Sequence, residues 1–303
     1  MEDLGLRSLL LIGGSSYAIT LPKDWIRRRR ITERTKVRLL EGPSGELIVT
    51  IAGFEVVSRA KIRFKEFKDG IWGIIAAYLD GYDEIEIETE GIKGEDFRAL
   101  KKALSKLMGM EILEENSRRI LIKCLMDHSS ANPMELLLRM KSIISGMMSD
   151  LRDAIIRSDT ENLSLIVERD DEVDRIYFAL VRQVRKAMRS PEIMGSLKIS
   201  PIELLDLRIA AMMLELIADS ITELAMSGEF VDKLPDFLER ASVLFSLAFK
   251  SFESKDFGKA VEVREEVEEI LELISESDGR IGIPLINLLV RIGDLCDLVS
   301  PRF

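Results

Sequence analysis

Four short apolar, β-prone runs open the chain: Leu9 to Ile12, Tyr17 to Leu21, Lys36 to Leu40 and Glu46 to Ile51. Gly13-Gly14-Ser15-Ser16, Pro22-Lys23-Asp24 and Gly42-Pro43-Ser44-Gly45 separate them, so the pattern predicts strands joined by tight turns. From Val56 to Lys123 the period switches back and forth between two and 3.6. Strands are predicted near Ala60 to Phe64, Glu84 to Glu88, Glu111 to Glu114 and Arg119 to Leu125, with helices near Gly70 to Leu79 and Gly94 to Leu107. That alternation reads as a small α+β layer.

Beyond Asn132 only the helical period remains. Asn132-Pro133-Met134-Glu135 has the form of a capping box with proline at the first helical position, and Ser200-Pro201-Ile202-Glu203 repeats the device. The stripe Leu136, Leu137, Met140, Ile143, Ile144, Met147, Met148, Leu151, Ile155 follows the first start, and a long helix from about Asp159 to Met188 lies between the two. Three more helices are predicted over Pro235 to Glu253, Asp256 to Ser275 and Ile283 to Val299. Val167 to Asp174 aligns with Val261 to Glu268, and Leu214 to Asp219 with Leu289 to Asp294, so the body reads as two tandem three-helix bundles, 134–228 and 232–300. The expected architecture is multidomain: a small all-β head (1–52), an α+β connecting segment (53–130) and an all-α body (131–303).

Charge sharpens this division. The chain of 303 residues carries a formal net charge of −10, distributed as +3 over 1–52, −2 over 53–130 and −11 over the remainder. A basic head on an acidic body directs a polyanion to the head and cations to the body. Two cysteines far apart and a single histidine, His128, leave no basis for a disulfide framework, a Cys- or His-rich metal site or a His-dependent triad. No glycine-rich phosphate loop follows any strand, and no run is long and apolar enough to span a bilayer. With Glu2 and Asp3 ahead of the first apolar run, the expectation is a cytoplasmic protein without membrane insertion.

Two clusters carry candidate chemistry. Trp25 to Ile31 contains four consecutive arginines, suited to phosphate contacts and equally to a solvated turn. In the body, Asp170 and Asp174 interrupt an expected inward stripe of Leu163, Val167, Tyr177 and Val181, while Glu215 and Asp219 stand one turn apart, Asp219 on the stripe of Leu205, Ile209, Met212 and Leu216. If those faces oppose, four carboxylates converge as hard-cation ligands; otherwise they are surface acids or partners of Arg175 and Arg208.

The string IGGSSYAITLPKDWIRRRRITERTKVRLL followed by GELIVTI resembles the AbrB/MazE/SpoVT family of swapped-hairpin DNA-binding domains over Leu6 to Ile51, with Arg34-Thr35 where that family usually has Gly-Asp. The resemblance implies an interlaced homodimer and makes Arg7, Lys23, Arg27, Arg28 and Lys36 the DNA contacts. Residues 134 to 300 resemble the PhoU family of phosphate-uptake regulators through the acidic motifs on the second and third helices. The combination is similar to that family's archaeal branch. Carried over, Asp170, Asp174, Glu215 and Asp219 are the ligands of a divalent or ferric ion: iron, zinc, manganese or magnesium. The second repeat departs, with Arg264 and Val290 at expected acids, so an ion-paired centre is expected there and metal only in the first repeat.

The resemblances imply a non-enzymatic, dimeric regulator of phosphate uptake that binds DNA through its head and uses its body for metal binding or for docking transporter components or a sensor protein. A metal-responsive transcription regulator unrelated to phosphate is the alternative. A di-iron enzyme is a third reading, disfavoured because the body has no histidine.

Overall fold

The computed structural model describes all residues except 1–2, 43–44, 52–56, 64–66, 89–90, 92, 117, 127–131, 160, 228–232, 277–281 and 302–303. His128 lies outside the described residues. The chain divides into two compact units, Met1–Glu55 and Val56–Phe303.

In the first unit, β1 (Leu10–Ile12) and β2 (Ser16–Ala18) form one antiparallel hairpin, and β3 (Val37–Glu41) and β4 (Leu47–Ile51) a second. Between them lies α1 (Lys23–Arg28). It ends in a Schellman turn: Ile31 N–H bonds to Ile26 O at 3.0 Å, Arg30 N–H to Arg27 O at 3.1 Å, and Arg30 takes the left-handed conformation with φ 52°. The Arg34-Thr35 position closes its own turn, the Thr35 hydroxyl accepting from Thr32 N–H at 2.9 Å and Thr35 N–H bonding to Thr32 O at 3.0 Å. A threonine hydroxyl thus supplies a side-chain acceptor in a position where the resembled family has aspartate. No described residue of this unit is buried.

In the second unit the sheet order is β5 (Arg59–Arg63), β6 (Glu84–Glu88), β8 (Arg119–Cys124), β7 (Met110–Glu115). β5 runs parallel to β6, the other pairs are antiparallel, and Ile85 stands opposite Ile122 and Ile87 opposite Ile120. α2 (Phe67–Leu79) and α3 (Gly94–Ser105) cover these isoleucines with Ile74, Tyr78, Leu100 and Leu104. Alternation sends charge to the other face, where Arg59 pairs with Glu84, Lys61 and Arg63 with Glu88, and Arg119 with Glu86 at 2.7 Å and Glu114 at 3.0 Å. Such ladders add little stability but keep that face solvated.

The body consists of α4 (Pro133–Arg157), α5 (Glu161–Arg189), the short α6 (Pro191–Leu197), α7 (Pro201–Ser227), α8 (Leu234–Ser254), α9 (Phe257–Glu276) and α10 (Ile283–Cys296). α4, α5 and α7 pack pairwise, as do α8, α9 and α10, and the α4–α8 and α7–α10 contacts merge both trios into one apolar core. The Ser200–Glu203 capping box forms in both directions, Glu203 N–H to Ser200 Oγ at 3.2 Å and Ser200 N–H to Glu203 Oε2 at 3.0 Å. Asn132 caps α4 by accepting from Met134 N–H at 2.9 Å.

One expected stripe holds in part and the other is rotated. α5 buries Ile166, Val173, Ile176, Leu180 and Val184 along with Val181 of the expected stripe, whose Leu163 and Tyr177 also pack on the core; only Val167 is exposed, and Asp170 and Asp174 stand at the border of the packed face. α7 packs through Leu204, Leu207, Ala211, Leu214 and Ala218, whose small alanines admit close helix approach, and turns Leu205, Ile209, Met212 and Leu216 outward. Both helices carry apolar residues on two sides, and the period alone does not rank them.

Candidate functional site

The acidic site is built on α5 and α7. Asp170, Asp174, Glu215 and Asp219 are all partly buried and close enough to disturb one another. Burial first, then the charges of Asp219 and Asp174, push the Asp170 carboxyl up to about 7. Burial, then Asp219, Asp174 and Asp170, push Glu215 up to about 7, against the opposing pull of Arg208. Asp219 is raised by burial and by Asp174 and Glu223, and Asp174 by burial against the attraction of Lys106. Oδ1 of Asp170 is buried and accepts no hydrogen bond. The cluster therefore holds more negative charge than it neutralises.

Its resident cation comes from outside the helical body. Lys106, just past the end of α3, places its Nζ 2.8 Å from Asp171 Oδ1 and 3.6 Å from Asp174 Oδ2. Arg208, expected as a carboxylate partner, instead stacks over the Tyr177 ring, 5.1 Å from its centroid. Arg175 pairs with Glu172 at 2.9 Å. Lys106 is the residue sequence reasoning missed; no local pattern marks a lysine at a helix end as the partner of a helix 65 residues away.

The opposite half of α5 is cationic. Arg182 is wholly buried, donates from Nη1 to Tyr78 O at 2.8 Å, stacks on the Tyr78 ring at 5.0 Å and reaches Asp83 Oδ1 at 3.7 Å. Lys186 pairs with Asp83, and Arg185 with Asp80 at 2.8 Å. Asp83 is fixed by Ser58, which donates from its backbone N–H at 2.9 Å and its hydroxyl at 3.0 Å. The turn between them runs through Gly81 at φ 85°, where a side chain would stand 3.4 Å from Lys186 Cβ. The spacing of Arg182, Arg185, Lys186 and Arg189 is that of one helix face, a signal legible in the sequence.

In the second trio Arg264 bonds to Asp297 and lies 3.7 Å from Glu268, and Arg291 bonds to Asp294 at 2.9 Å. The single ion-paired centre expected around Arg264 is split in two: Arg264 lies between Asp297 and Glu268 at the surface, and Asp294 is taken by Arg291.

In the head, Lys23, Arg27 and Arg28 share α1, Arg27 lying 3.8 Å from Asp24. Arg7 is exposed and donates to Leu6 O at 2.7 Å, and Lys36 is exposed ahead of β3. Arg28 and Arg29 line a pocket with Leu4 and Trp25.

α4, α5 and α7 together form a sequence-recognisable piece. Residues 137–227 match the PhoU domain. The PhoU match runs from the first turns of α4 to the last residue of α7, so it contains all four clustered carboxylates and stops before α8. Similar solved structures include the phosphate transport system regulatory protein PhoU from Streptococcus pneumoniae, 14% identical over 55% of this chain and 87% of that one, TM-score 0.41. PhoU from Pseudomonas aeruginosa is 17% identical over 56% of this chain and 95% of that one, TM-score 0.38. No protein of curated function matches. Among the described residues no helix is long and apolar enough to cross a membrane.

Proposed function

We propose that this protein is a cytoplasmic, non-enzymatic regulator of phosphate uptake that binds DNA as a homodimer through its first unit and receives its input on the PhoU domain. The observation that carries the phosphate reading is the PhoU match over α4 to α7. The tandem-repeat relation extends it to α8–α10, which pack on one another as the first trio does. Transporter components or a sensor protein are the partners this reading gives the body.

Dimerisation is supported by the head's own surface. Leu10, Leu11, Ile12, Tyr17, Leu39 and Leu47 are exposed on four short strands, none of whose residues is buried in a single chain. A unit of this size without a core needs a second copy to complete it. Arg27 and Arg28 on α1, with Arg7, Lys23 and Lys36, supply the phosphate contacts.

The input site is Asp170, Asp174, Glu215 and Asp219. An all-oxygen, over-charged donor set suits a divalent or ferric ion. Among the described residues no three His, Cys, Asp or Glu side chains are grouped to hold an ion as they stand. Metal entry therefore requires these carboxylates to turn toward one another and Lys106 to yield Asp174. A bound ion would supply the positive charge that the cluster lacks.

The test is DNA binding to fragments upstream of phosphate-transport genes of the same genome, alongside elemental analysis of protein purified without chelator. Arg27→Ala/Arg28→Ala is expected to weaken DNA binding at least tenfold and keep the metal; Asp170→Asn/Asp174→Asn is expected to lose the metal and keep DNA binding. No preference over random DNA sinks the DNA-binding assignment of the first unit, and a metal-free wild type sinks the metal.

A further inference from the structure

We propose that the outer face of α7 seats a basic amphipathic helix of a partner protein. This goes beyond the reading above, requiring neither DNA nor phosphate. α7 is apolar on both sides. Its inner side buries Leu204, Leu207, Leu214, Ile217 and Ile221, which accounts for its packing on α4, α5 and α10. The outer side repeats the pattern at spacings of three and four: Ile202, Leu205, Ile209, Met212 and Leu216. Ile202 is 72% exposed and Leu205 52%, and the other three are half-buried. The stripe is about 21 Å long, the length of four helical turns. A helix apolar all round is ordinarily covered on all sides, and the described residues of the second unit leave Ile202 and Leu205 exposed and the rest of the stripe only partly covered.

Charge identifies the occupant. Glu215 and Asp219 flank the stripe on α7, and Asp170 and Asp174 border it from α5, all four partly buried, so the acids outnumber the cations at this edge. Two cations already stand there: Arg208, whose charge acts on Glu215, and Lys106, which comes from a different layer and sits on Asp171 and Asp174. An amine on this acidic rim is thus part of the fold, and further lysine or arginine side chains from a docking helix would extend it. A second copy related by a twofold axis would instead bring this acidic face against itself. An anionic membrane is repelled for the same reason. The fitting chemistry is a leucine or isoleucine stripe edged by lysine and arginine, the helix-in-groove mode of recognition.

The experiment uses the full chain, a fluorescein-labelled 18-residue Leu/Lys amphipathic peptide read by anisotropy, and a Lys/Ser peptide of equal charge. The Leu/Lys peptide is expected to bind at least tenfold more tightly than the Lys/Ser peptide. Ile202→Ser/Leu205→Ser and, separately, Glu215→Gln/Asp219→Asn are each expected to weaken it at least tenfold, the first with unchanged thermal melting and the second without loss of thermal stability. Val243→Ser/Leu273→Ser, which removes exposed apolar residues elsewhere, is expected to leave it alone. Absence of Leu/Lys binding, equal binding of the two peptides, or insensitivity to Ile202→Ser/Leu205→Ser overturns the proposal. So does sedimentation showing self-association that Ile202→Ser/Leu205→Ser abolishes, since a second copy then owns the face.

Discussion

Arg182→Ala is expected to lower the stability of the second unit by about 3 kcal/mol, the range for emptying a large, fully buried side chain. The guanidinium is sealed between α5 and α2, where it donates to Tyr78 O and lies on the Tyr78 ring. Removing it leaves a cavity and takes the Arg182 charge away from Asp83, which keeps Lys186. Arg182→Met keeps most of the volume without the charge, and buried ion pairs replaced by apolar groups often cost little. Methionine is therefore expected to recover at least half of the loss. Urea melts of the three proteins give the answer directly, and an alanine variant as stable as wild type would show that this junction contributes nothing.

Asp170→Asn is expected to stabilise the protein at pH 7.5 in the presence of chelator. A carboxyl raised to about 7 in the folded state and ordinary in the unfolded chain binds its proton preferentially when folded. Its contribution is favourable in acid, decays as pH rises from about 4 through 7, and becomes a constant penalty above that. The full linkage would be about 4 kcal/mol, and water access to a partly exposed cluster reduces it to about 1–2 kcal/mol. Asparagine removes the charge and keeps the shape, so melting curves should show the variant gaining on wild type between pH 5 and about 7 and levelling off above that. A constant difference across that range would mean that Asp170 is not held out of its ordinary ionisation.

Periodicity and turn chemistry made the element order legible in advance. Strand Glu84–Glu88 has the predicted bounds, and the Ser200–Glu203 box and the Asn132 cap sit where proline at the first helical position placed them. Local hydrogen bonds within four residues are a property of local sequence, which is why they are readable. Rotation of α7 and the packed border of α5 were not: Val167 and Ile166 are equally apolar, and only contacts with α4 and the α+β layer decide which is covered. α6 escaped notice because seven residues hold too few turns for a period to show. Of the acidic site, the four carboxylates were legible from their one-turn spacings. Lys106 was not, because a pairing across 65 residues leaves no local trace.

Along α5 the charges are exchanged with the α+β layer: the helix offers Asp171 and Asp174 to the layer's Lys106, and the layer offers Asp80 and Asp83 to the helix's Arg185 and Lys186. Such a reciprocal arrangement removes autonomy from both parts. Expressed without the layer, the body would expose a cationic strip and the bare seat of Arg182; expressed without the body, the layer would present an unbalanced acidic turn. A chain divided after Met126 should therefore yield two sticky fragments with complementary charge patterns that find each other in solution, and the smallest piece worth isolating begins at Val56.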